Sequence, residues 1–305
     1  MSVPKHLLIA FAAGHTPVAR QALRGLRLPR LERLLRRLRP LPPEPLDELA
    51  PEAPHERALA RALGLDTDAG RTPWAAHALR HAGGAPGPHA WAWITPCHWK
   101  VGLDQVLMQD PGALQLDEAH ARELFAAMQA YFVQDGLELR FEAPQRWLAH
   151  GELFRDLVCA SLDRVSGRDV AAWMPESAQA SRLHRLQSEM QMLLYTHPVN
   201  DARAAQGLPA VNSFWVSGAG ALPEAVPVTA APELDLSLRD SALRQDWVAW
   251  AQAWQQLDAT RCAELSSELD RGAPVRLTLC GERAWQTFEA APQGFFQSVS
   301  SLFGQ

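Results

Sequence analysis

The stretch HPVNDARAAQGLPAVNSFWVSGAG, residues 197–220, contains the clearest helix-to-strand unit of the sequence. Pro198 stops the helix that precedes it, DARAAQG is long enough for about two helical turns, and Gly207 is suited to end them. AVNSFWVSGAG is then typical of a strand that runs into Gly218 and Gly220. A helix that leads directly into a strand is typical of α/β proteins, so this stretch predicts that fold class.

The same alternation of helix and strand patterns recurs along the chain. KHLLIAFAAG (residues 5–14) predicts a buried first strand, although its lysine, apolar run and small residues also fit a weak signal peptide. LPRLERLLRRLRP (28–40) and SRLHRLQSEMQMLLYTHP (181–198) predict helices, because their apolar side chains recur at steps of three and four residues. PVRLTLCG (274–281) predicts a late strand, which extends the α/β pattern.

The middle of the sequence predicts further strands and a long helix. HAWAWITP (89–96) and LDQVLMQD (103–110) are typical of strands. LDEAHARELFAAMQAYFVQDG (116–136) predicts a helix whose start Asp117 can cap. LELRFEAPQRWLAHG (137–151) alternates between apolar and polar residues and predicts a hairpin. Together these patterns indicate an α+β region.

Proline-rich stretches separate the groups of elements. PLPPEPLDELAPEAP (40–54) contains too many prolines for a helix or a strand, and residues 222–234 predict a second proline-rich loop. We therefore expect an α/β core of residues 1–84 and 176–305, with a smaller α+β lobe inserted at residues 85–175.

The composition describes a globular chain without a membrane span. Its 305 residues are 47% hydrophobic, which is enough apolar material for a large core and excludes a disordered chain. The formal net charge of −5 disfavours nucleic-acid binding by bulk electrostatic attraction. No stretch approaches the roughly 20 apolar residues that cross a bilayer. The four cysteines are far apart in sequence, which fits reduced thiols in a cytoplasmic protein.

Residues 197–220 also contain the polar side chains and glycines expected of a ligand-binding loop. A strand that ends in glycines places bare backbone amides at the edge of a sheet, where α/β proteins commonly bind ligands. Arginine offers a planar fork to phosphate or carboxylate, and asparagine offers donors and acceptors. The candidate ligand-binding residues are His197, Asn200, Arg203, Asn212, Gly218 and Gly220. In the structural alternative, the asparagines bind the backbone of the turn and Arg203 forms a salt bridge.

Several motifs that are diagnostic of a catalytic class are missing from the sequence. No Gly-Lys-Ser/Thr follows the glycines, which excludes a P-loop, and GAG lacks the third glycine of a dinucleotide-binding fingerprint. The sequence also has no G-x-S-x-G elbow, so a serine hydrolase of that kind is disfavoured.

Residues 197–220 resemble a block of the archaeal-type cofactor-independent phosphoglycerate mutases, a branch of the alkaline phosphatase superfamily. The shared order is HPVN, an arginine, a glycine, Pro-Ala-Asn, a short apolar strand and Gly-x-Gly, although Val211 interrupts the Pro-Ala-Asn. LLIAFAAG followed by LRLPRLERLLRRL is similar to the start of that superfamily. RLQSEMQMLLYTHPVN and GLPAVNSFWVSGAG resemble, more closely, bacterial regulatory proteins of the RpfE type. The resemblance implies an alkaline-phosphatase-like α/β fold, with a central mostly parallel sheet and helices on both faces.

The metal ligands that the resemblance implies are missing. Enzymes of that superfamily use two metal ions, held by Asp and His, to activate a Ser or Thr nucleophile. Where a metal-binding Asp is expected after the first strand, this chain has Ala12, Ala13 and Gly14. LTLCGER stands where an Asp-His pair is expected, and no histidine follows Asp235. We therefore expect a catalytically degenerate protein with a regulatory or binding role, without catalytic residues, metal or cofactor. The alternative is an active phosphoglycerate mutase-like phosphotransferase or hydrolase with rearranged metal ligands.

A histidine-rich segment offers a second candidate site. His77 and His81 are four residues apart and would share one helix face, a spacing that can ligate zinc. His89, Cys97 and His98 follow, but no Glu occupies the HExxH position, and neighbouring residues on a strand point in opposite directions. Solvated or hydrogen-bonded histidines are the alternative that we favour.

Two surfaces could bind a partner. Residues 20–39 contain eight arginines and one glutamate, which predicts either a contact for an acidic partner or a solvated helix face. Trp247, Trp250 and Trp254 recur at helical spacing, which predicts either an interface or a core stripe. The binding partners that the sequence allows are therefore a small anionic ligand and a protein. Membrane binding is not expected, and nucleic-acid binding is disfavoured.

Overall fold

A computed structural model describes residues 4–65, 68–177, 180–224 and 230–290. The described strands are β1 (Lys5–Ile9), β2 (Leu38–Pro40), β3 (Glu44–Pro45), β4 (Ala90–Cys97), β5 (Trp99–Val101), β6 (Val106–Met108), β7 (Glu138–Ala143), β8 (Arg146–His150), β9 (Ser213–Ala221), β10 (Glu233–Asp235), β11 (Val275–Cys280) and β12 (Ala284–Ala290). The described α-helices are α1 (Pro17–Gly25), α2 (Pro29–Arg37), α3 (Pro54–Leu63), α4 (Trp74–His81), α5 (Glu118–Gln134), α6 (Leu162–Val165), α7 (Ala180–Tyr195), α8 (Pro198–Ala205), α9 (Arg239–Leu243), α10 (Trp247–Leu257) and α11 (Ala263–Asp270).

The chain divides into two compact units. The parallel-sheet unit comprises Met1–Glu48, Pro54–Leu63 and Val228–Gln305, and the antiparallel-sheet unit comprises Leu49–Ala53 and Gly64–Pro227. No helix in the described part of the chain is long and apolar enough to cross a membrane.

The parallel-sheet unit is built on a mixed sheet with the order β10-β1-β11-β12-β2, in which β3 also pairs with β12. β1 lies parallel to both β10 and β11. β12 is antiparallel to β11, β2 and β3. The prediction of an α/β fold is confirmed, and the parallel strands of the sheet are β10, β1 and β11.

Helices pack on both faces of this sheet. Alternate residues of β1 point to opposite faces, so β1 contributes apolar side chains to both sides. Leu7 and Ile9 belong to a core cluster with residues of α2, α10 and α11. Leu8, between them in sequence, packs with Ala58 of α3 and with Cys280 of β11. A strand that is buried on both faces has a continuous apolar sequence rather than an alternating one. The run LLIA in the first strand has this character.

Four strands of the mixed sheet were not predicted: β2 lies in the stretch 28–40 that was predicted to be helical, β12 was not assigned, and β10 and β3 lie in stretches expected to be loops. β10 begins at Glu233, at the end of the stretch 222–234 that we expected to be a loop, and β3 lies inside the proline-rich stretch 40–54. Both are two or three residues long. Segments this short contain no periodic pattern, and they are strands only because β1 and β12 supply their hydrogen-bond partners.

The antiparallel-sheet unit contains a four-stranded sheet with the order β7-β8-β4-β9. Helices α5 and α7 bury their apolar residues in the same core cluster as this sheet. The predicted hairpin is formed by β7 and β8, and Asp117 caps α5 by accepting a hydrogen bond from the backbone N–H of His120 at 2.9 Å. β5 and β6 form a separate two-stranded sheet.

The unit boundaries differ from those expected from the sequence. Residues 49–53, 64–84 and 176–227 were placed in the α/β core, but they group with the antiparallel sheet. The reason is that β9 pairs with β4 along its length and α7 packs into the core of that sheet. The antiparallel-sheet unit therefore extends beyond the predicted lobe of residues 85–175 on both sides.

The tryptophan stripe on α10 belongs mainly to the core. Trp250 and Trp254 are fully buried, and the indole nitrogen of Trp250 donates a hydrogen bond to the carbonyl oxygen of Phe11 at 2.9 Å. Trp247 is half-buried and stacks edge-on against Trp250. Phe11 lies two residues after β1 and has a positive φ of 55°, which is unusual for a residue other than glycine. The indole hydrogen bond satisfies the carbonyl group of this residue.

A short chain of side-chain hydrogen bonds crosses the mixed sheet. The Nε2 atom of His6 on β1 lies 2.8 Å from the hydroxyl of Thr278 on β11, which lies 2.9 Å from the hydroxyl of Thr287 on β12. Thr278 is buried. Burial, and secondarily the charge of Arg276, lowers the pKa of His6 from 6.5 to about 4.

We predict that His6 makes the stability of the protein depend on pH. Between pH 6.5 and about 4, His6 takes up a proton in the unfolded chain but not in the folded one. The free energy of unfolding should therefore fall as the pH decreases through this window, by up to about 3 kcal/mol, and stay constant above it. Denaturant unfolding at several pH values measures this slope.

The variant His6→Gln should lose this part of the pH dependence. His81→Gln is the matched control, because His81 is exposed on α4. The control should keep the slope of the wild-type protein. If His6→Gln and the wild type showed equal slopes, the buried neutral state of His6 would be refuted.

Candidate functional site

The helix in residues 197–220 begins earlier than the sequence pattern suggested. α8 starts at Pro198 rather than at Asp201. The side chain of His197 explains this, because its Nδ1 atom accepts a hydrogen bond from the backbone N–H of Val199 at 3.3 Å and so caps the helix. Gly207 follows the end of α8 with a positive φ of 70°, as expected for the end of a helix. His197 is thus engaged in local structure.

Asn200 joins the end of α7 to the start of β9. Its Nδ2 atom donates to the carbonyl oxygens of Leu194 and Val211, each at 2.8 Å. Its Oδ1 atom accepts from the backbone N–H of Val211, also at 2.8 Å. The side chain is buried, so these bonds satisfy backbone groups that water does not reach.

The side chain of Asn212 is hydrogen-bonded to the backbone of the neighbouring strand β5. Its Oδ1 atom accepts from the backbone N–H of Trp99 at 2.7 Å, and its Nδ2 atom donates to the carbonyl oxygen of Trp99 at 2.9 Å. The amide side chain therefore pairs with β5 as a strand residue would. Both asparagines match the structural alternative raised from the sequence.

Arg203 is fully buried and binds backbone carbonyl groups. Its Nε atom donates to the carbonyl oxygen of Pro209 at 2.9 Å, and its Nη2 atom donates to that of Leu114 at 2.5 Å. Burial lowers the pKa of Arg203, and the charge of Asp117 opposes this effect. The salt bridge expected for Arg203 is not formed within the described residues. Its Nη1 atom is buried there without a hydrogen-bond partner.

Because Gly218 and Gly220 have no side chains, other segments of the protein can pack closely against β9 at these two positions. They lie where β9 has one residue more than β4, since Trp91 pairs with Gly220 and Trp93 pairs with Ser217. A Cβ atom added to Gly218 would lie 2.9 Å from the Trp93 ring and 3.0 Å from the Trp74 Cβ atom. One added to Gly220 would lie 3.1 Å from the Pro73 Cβ atom. The glycines are therefore covered by protein atoms on this side.

The structure accordingly places the predicted ligand-binding residues within one internal hydrogen-bond and packing network of the antiparallel-sheet unit. The asparagine amides, the His197 Nδ1 atom and most of the Arg203 guanidinium serve backbone groups. The Nη1 atom of Arg203 is the buried donor that this network leaves over. Ligand binding by these residues stays a prediction.

Sequence reasoning missed a pair of titratable side chains at the carboxyl ends of β1 and β11. His15 follows β1, and its Nδ1 atom is hydrogen-bonded to the carboxylate of Glu282, which follows β11. The same carboxylate accepts from the backbone N–H of His15 at 3.2 Å. The two residues are separated by more than 260 positions, and only the parallel pairing of β1 with β11 brings them together. No local sequence signal could have indicated the contact.

The third parallel strand ends in a carboxylate with local partners. The Oδ1 atom of Asp235 accepts hydrogen bonds from the backbone N–H of Ser237 at 2.9 Å and from the Ser237 hydroxyl at 2.6 Å. Its Oδ2 atom lies 3.7 Å from the Nε atom of Arg261. Asp235 therefore forms an Asx-type turn at the end of β10 and is already paired with a cation.

The histidines of the histidine-rich segment make contacts in separate places. The rings of His77 and His81 lie on one face of α4 with centroids 6.3 Å apart. His89 stacks on His150, and the Nδ1 atom of His98 is hydrogen-bonded to the carbonyl oxygen of Ala210 at 2.7 Å. Cys97 is fully buried, and burial raises the pKa of its thiol. These contacts match hydrogen-bonded or solvated histidines.

Comparison with known proteins finds similarity at the level of structure. No protein-family model and no curated protein matches the chain. Among solved structures, a cofactor-independent phosphoglycerate mutase from Thermoplasma acidophilum matches 95% of this chain and 90% of its own, with 15% identity and a TM-score of 0.39. The PH0037 protein from Pyrococcus horikoshii matches 95% of this chain and 88% of its own, with 11% identity and a TM-score of 0.42.

We predict that Gly218→Ala destabilises the protein more than Gly207→Ala. Both glycines have positive φ values, so both substitutions cost about 1 kcal/mol of backbone strain. Only the Cβ atom at position 218 meets Trp93 and Trp74, and this overlap should raise the total to about 3 kcal/mol. Denaturant unfolding of the two variants measures the difference. Equal losses would contradict the packing role of Gly218.

We predict that Arg203→Ala lowers the free energy of unfolding by about 3 kcal/mol or more, because it leaves the buried carbonyl group of Leu114 and the partly buried one of Pro209 without a donor. Arg80→Ala is the control, since Arg80 is exposed on α4 and its loss should change stability by less than about 0.5 kcal/mol. Thermal and denaturant unfolding provide the measurement. An Arg203→Ala protein as stable as the control would indicate that the guanidinium is held for a ligand instead.

Proposed function

We propose that this chain is a catalytically degenerate, phosphoglycerate mutase-like protein of the RpfE regulatory type, with a binding or regulatory role. The observation that carries the proposal lies at the carboxyl ends of the parallel strands. After β1 and β11 the chain has Ala12, Ala13 and Gly14, and then Gly281 and Glu282. Two-metal phosphoryl transfer requires several Asp and His ligands to converge at such a position.

The ionisable side chains that do lie at this edge are already engaged. His15 and Glu282 are hydrogen-bonded to each other, and Asp235 is held by Ser237 and Arg261. The Nε2 atom of His15 is outside these contacts, but a two-metal site needs several Asp and His ligands to converge. This arrangement supports a role that does not depend on metal-assisted chemistry.

Four free cysteines support a reducing environment for the protein. Cys97, Cys159, Cys262 and Cys280 are all buried and unpaired. Burial raises the pKa of each thiol, which keeps it in its unreactive protonated form. We propose a cytoplasmic location on this basis.

One observation favours the alternative that the chain is an active phosphotransferase or hydrolase. A histidine with one ring nitrogen held by a carboxylate is the usual arrangement of a general base. His15 has this arrangement with Glu282, and its ring is 44% exposed. A substrate at the carboxyl edge of the sheet could therefore reach the second ring nitrogen.

Metal content and turnover distinguish the two functions. We expect the purified protein to contain manganese and zinc far below one equivalent, and to show no phosphoglycerate mutase or phosphatase turnover when either metal is supplied. Elemental analysis and assays with 3-phosphoglycerate and p-nitrophenyl phosphate measure these quantities. Stoichiometric metal together with turnover would overturn the proposal.

The variant His15→Ala separates true activity from a contaminant. If turnover is found and falls by roughly a hundredfold or more in this variant, the general-base alternative is correct. His89→Ala is the control, because His89 is exposed and lies in the antiparallel-sheet unit. It should leave any such activity unchanged.

A further inference from the structure

A groove of about 430 Å³ lies between α2 and α11 in the parallel-sheet unit. Its lining residues are Pro29, Arg30, Arg33, Ala263, Ser266, Ser267 and Asp270. The residues of α11 in this set recur at steps of three and four positions and so form one face of the helix. A volume of this size is within the range of sites that hold small molecules.

The two helices that form the groove are held firmly in place. Asp258, which begins a π-helical turn between α10 and α11, is buried, and its carboxylate accepts from the backbone N–H of Leu31 at 2.7 Å and of Arg30 at 3.4 Å. Leu31 on α2 and Leu265 on α11 are buried in the same core cluster. The polar face of each helix is thus presented to the groove without a need for rearrangement, which favours binding.

The groove carries positive charge that protein carboxylates neutralise only in part. Arg33 is exposed and makes no ion pair or hydrogen bond within the described residues. The Nη1 atom of Arg30 lies 4.0 Å from the nearest Asp258 oxygen, a loose contact. The carboxylate of Asp270, which lines the groove, forms an ion pair with Arg37, whose Nη1 atom lies 2.5 Å from it. Arg33 is therefore the lining guanidinium without a carboxylate partner among the described residues, and Arg30 is only loosely paired with Asp258.

The facing helix adds uncharged donors. The hydroxyl groups of Ser266 and Ser267 have no hydrogen-bond partner in the described part of the chain, although Ser266 is a buried residue. Arginine side chains combined with hydroxyl groups recognise phosphate oxygens, because guanidinium donates in a planar fork and hydroxyl groups fill the remaining positions.

We infer that the groove between α2 and α11 binds a small phosphate ester or diphosphate, with Arg30 and Arg33 on one side of the anion and the hydroxyls of Ser266 and Ser267 on the other. The inference is independent of the proposed lack of catalysis, because an active enzyme could carry the same groove.

The charge pattern favours a small anion over nucleic acid. Beyond the groove, Arg36 is paired with Glu32, Arg37 with Asp270 and Arg39 with Glu289. The positive surface is therefore interrupted by carboxylates. The chain as a whole carries a formal charge of −5, which opposes the approach of a long polyanion.

Calorimetric titration of the full-length protein with inorganic pyrophosphate and with glucose 6-phosphate tests the inference. We expect saturable binding of at least one of them at low salt, weakened by roughly tenfold or more in Arg33→Gln. Ser267→Ala should weaken binding by a smaller factor, because a neutral donor is lost. Arg36→Gln is the matched control, since Arg36 lies on the same helix outside the groove, and it should bind like the wild type.

Circular dichroism and thermal unfolding of each variant confirm that the substitutions leave the fold intact, as expected for exposed side chains. Failure of both probes to bind at millimolar concentration would overturn the inference, and so would equal losses in Arg33→Gln and Arg36→Gln. Tighter binding of a single-stranded oligonucleotide, weakened in both variants, would overturn it in favour of a nucleic-acid surface. None of these outcomes bears on metal content or turnover, so the proposed function is tested separately.

Discussion

The requirement that buried backbone N–H and C=O groups find hydrogen-bond partners determines what most polar side chains do in both units. In the antiparallel-sheet unit, Asn200, Asn212 and Arg203 bind the ends of strands and helices that cannot reach one another directly. In the parallel-sheet unit, Asp258 accepts from the start of α2, and the Trp250 indole donates to the carbonyl after β1. These contacts hold the regular elements in their mutual positions.

This requirement separates residues that hold the fold from residues that remain available for chemistry. An amide or guanidinium donor that leaves buried backbone to bind a ligand destabilises the protein, although the Nη1 atom of Arg203 does not serve backbone. The stretch 197–220 has the composition of a binding loop, yet its polar atoms are largely used in this way. Besides the Nη1 atom of Arg203, nitrogen atoms outside such contacts among the described residues include those of the Arg33 guanidinium in the groove and the Nε2 atom of His15.

Local elements could be predicted because their signals lie within a few residues. The cap of α5 at Asp117, the β7–β8 hairpin and the apolar run of β1 each depend on neighbouring side chains. The very short strand β10 and the boundaries of the two units could not be predicted, because both depend on pairing between segments distant in sequence. The α/β class was predicted correctly, whereas the expected domain bounds placed β9 with the α/β core, although it pairs with β4.

The sequence by itself determined the α/β class, the positions of most helices and the candidate residues of the stretch 197–220, but not the pair of His15 and Glu282. Tertiary structure alone decided which groups the polar side chains of that stretch contact. Asn200 and Arg203 fit a ligand site and a structural network equally well until the positions of Val211, Pro209 and Leu114 are known. The physical reason is that propensity and capping act over a few residues, whereas the partner of a polar side chain is chosen by packing between segments far apart in the chain.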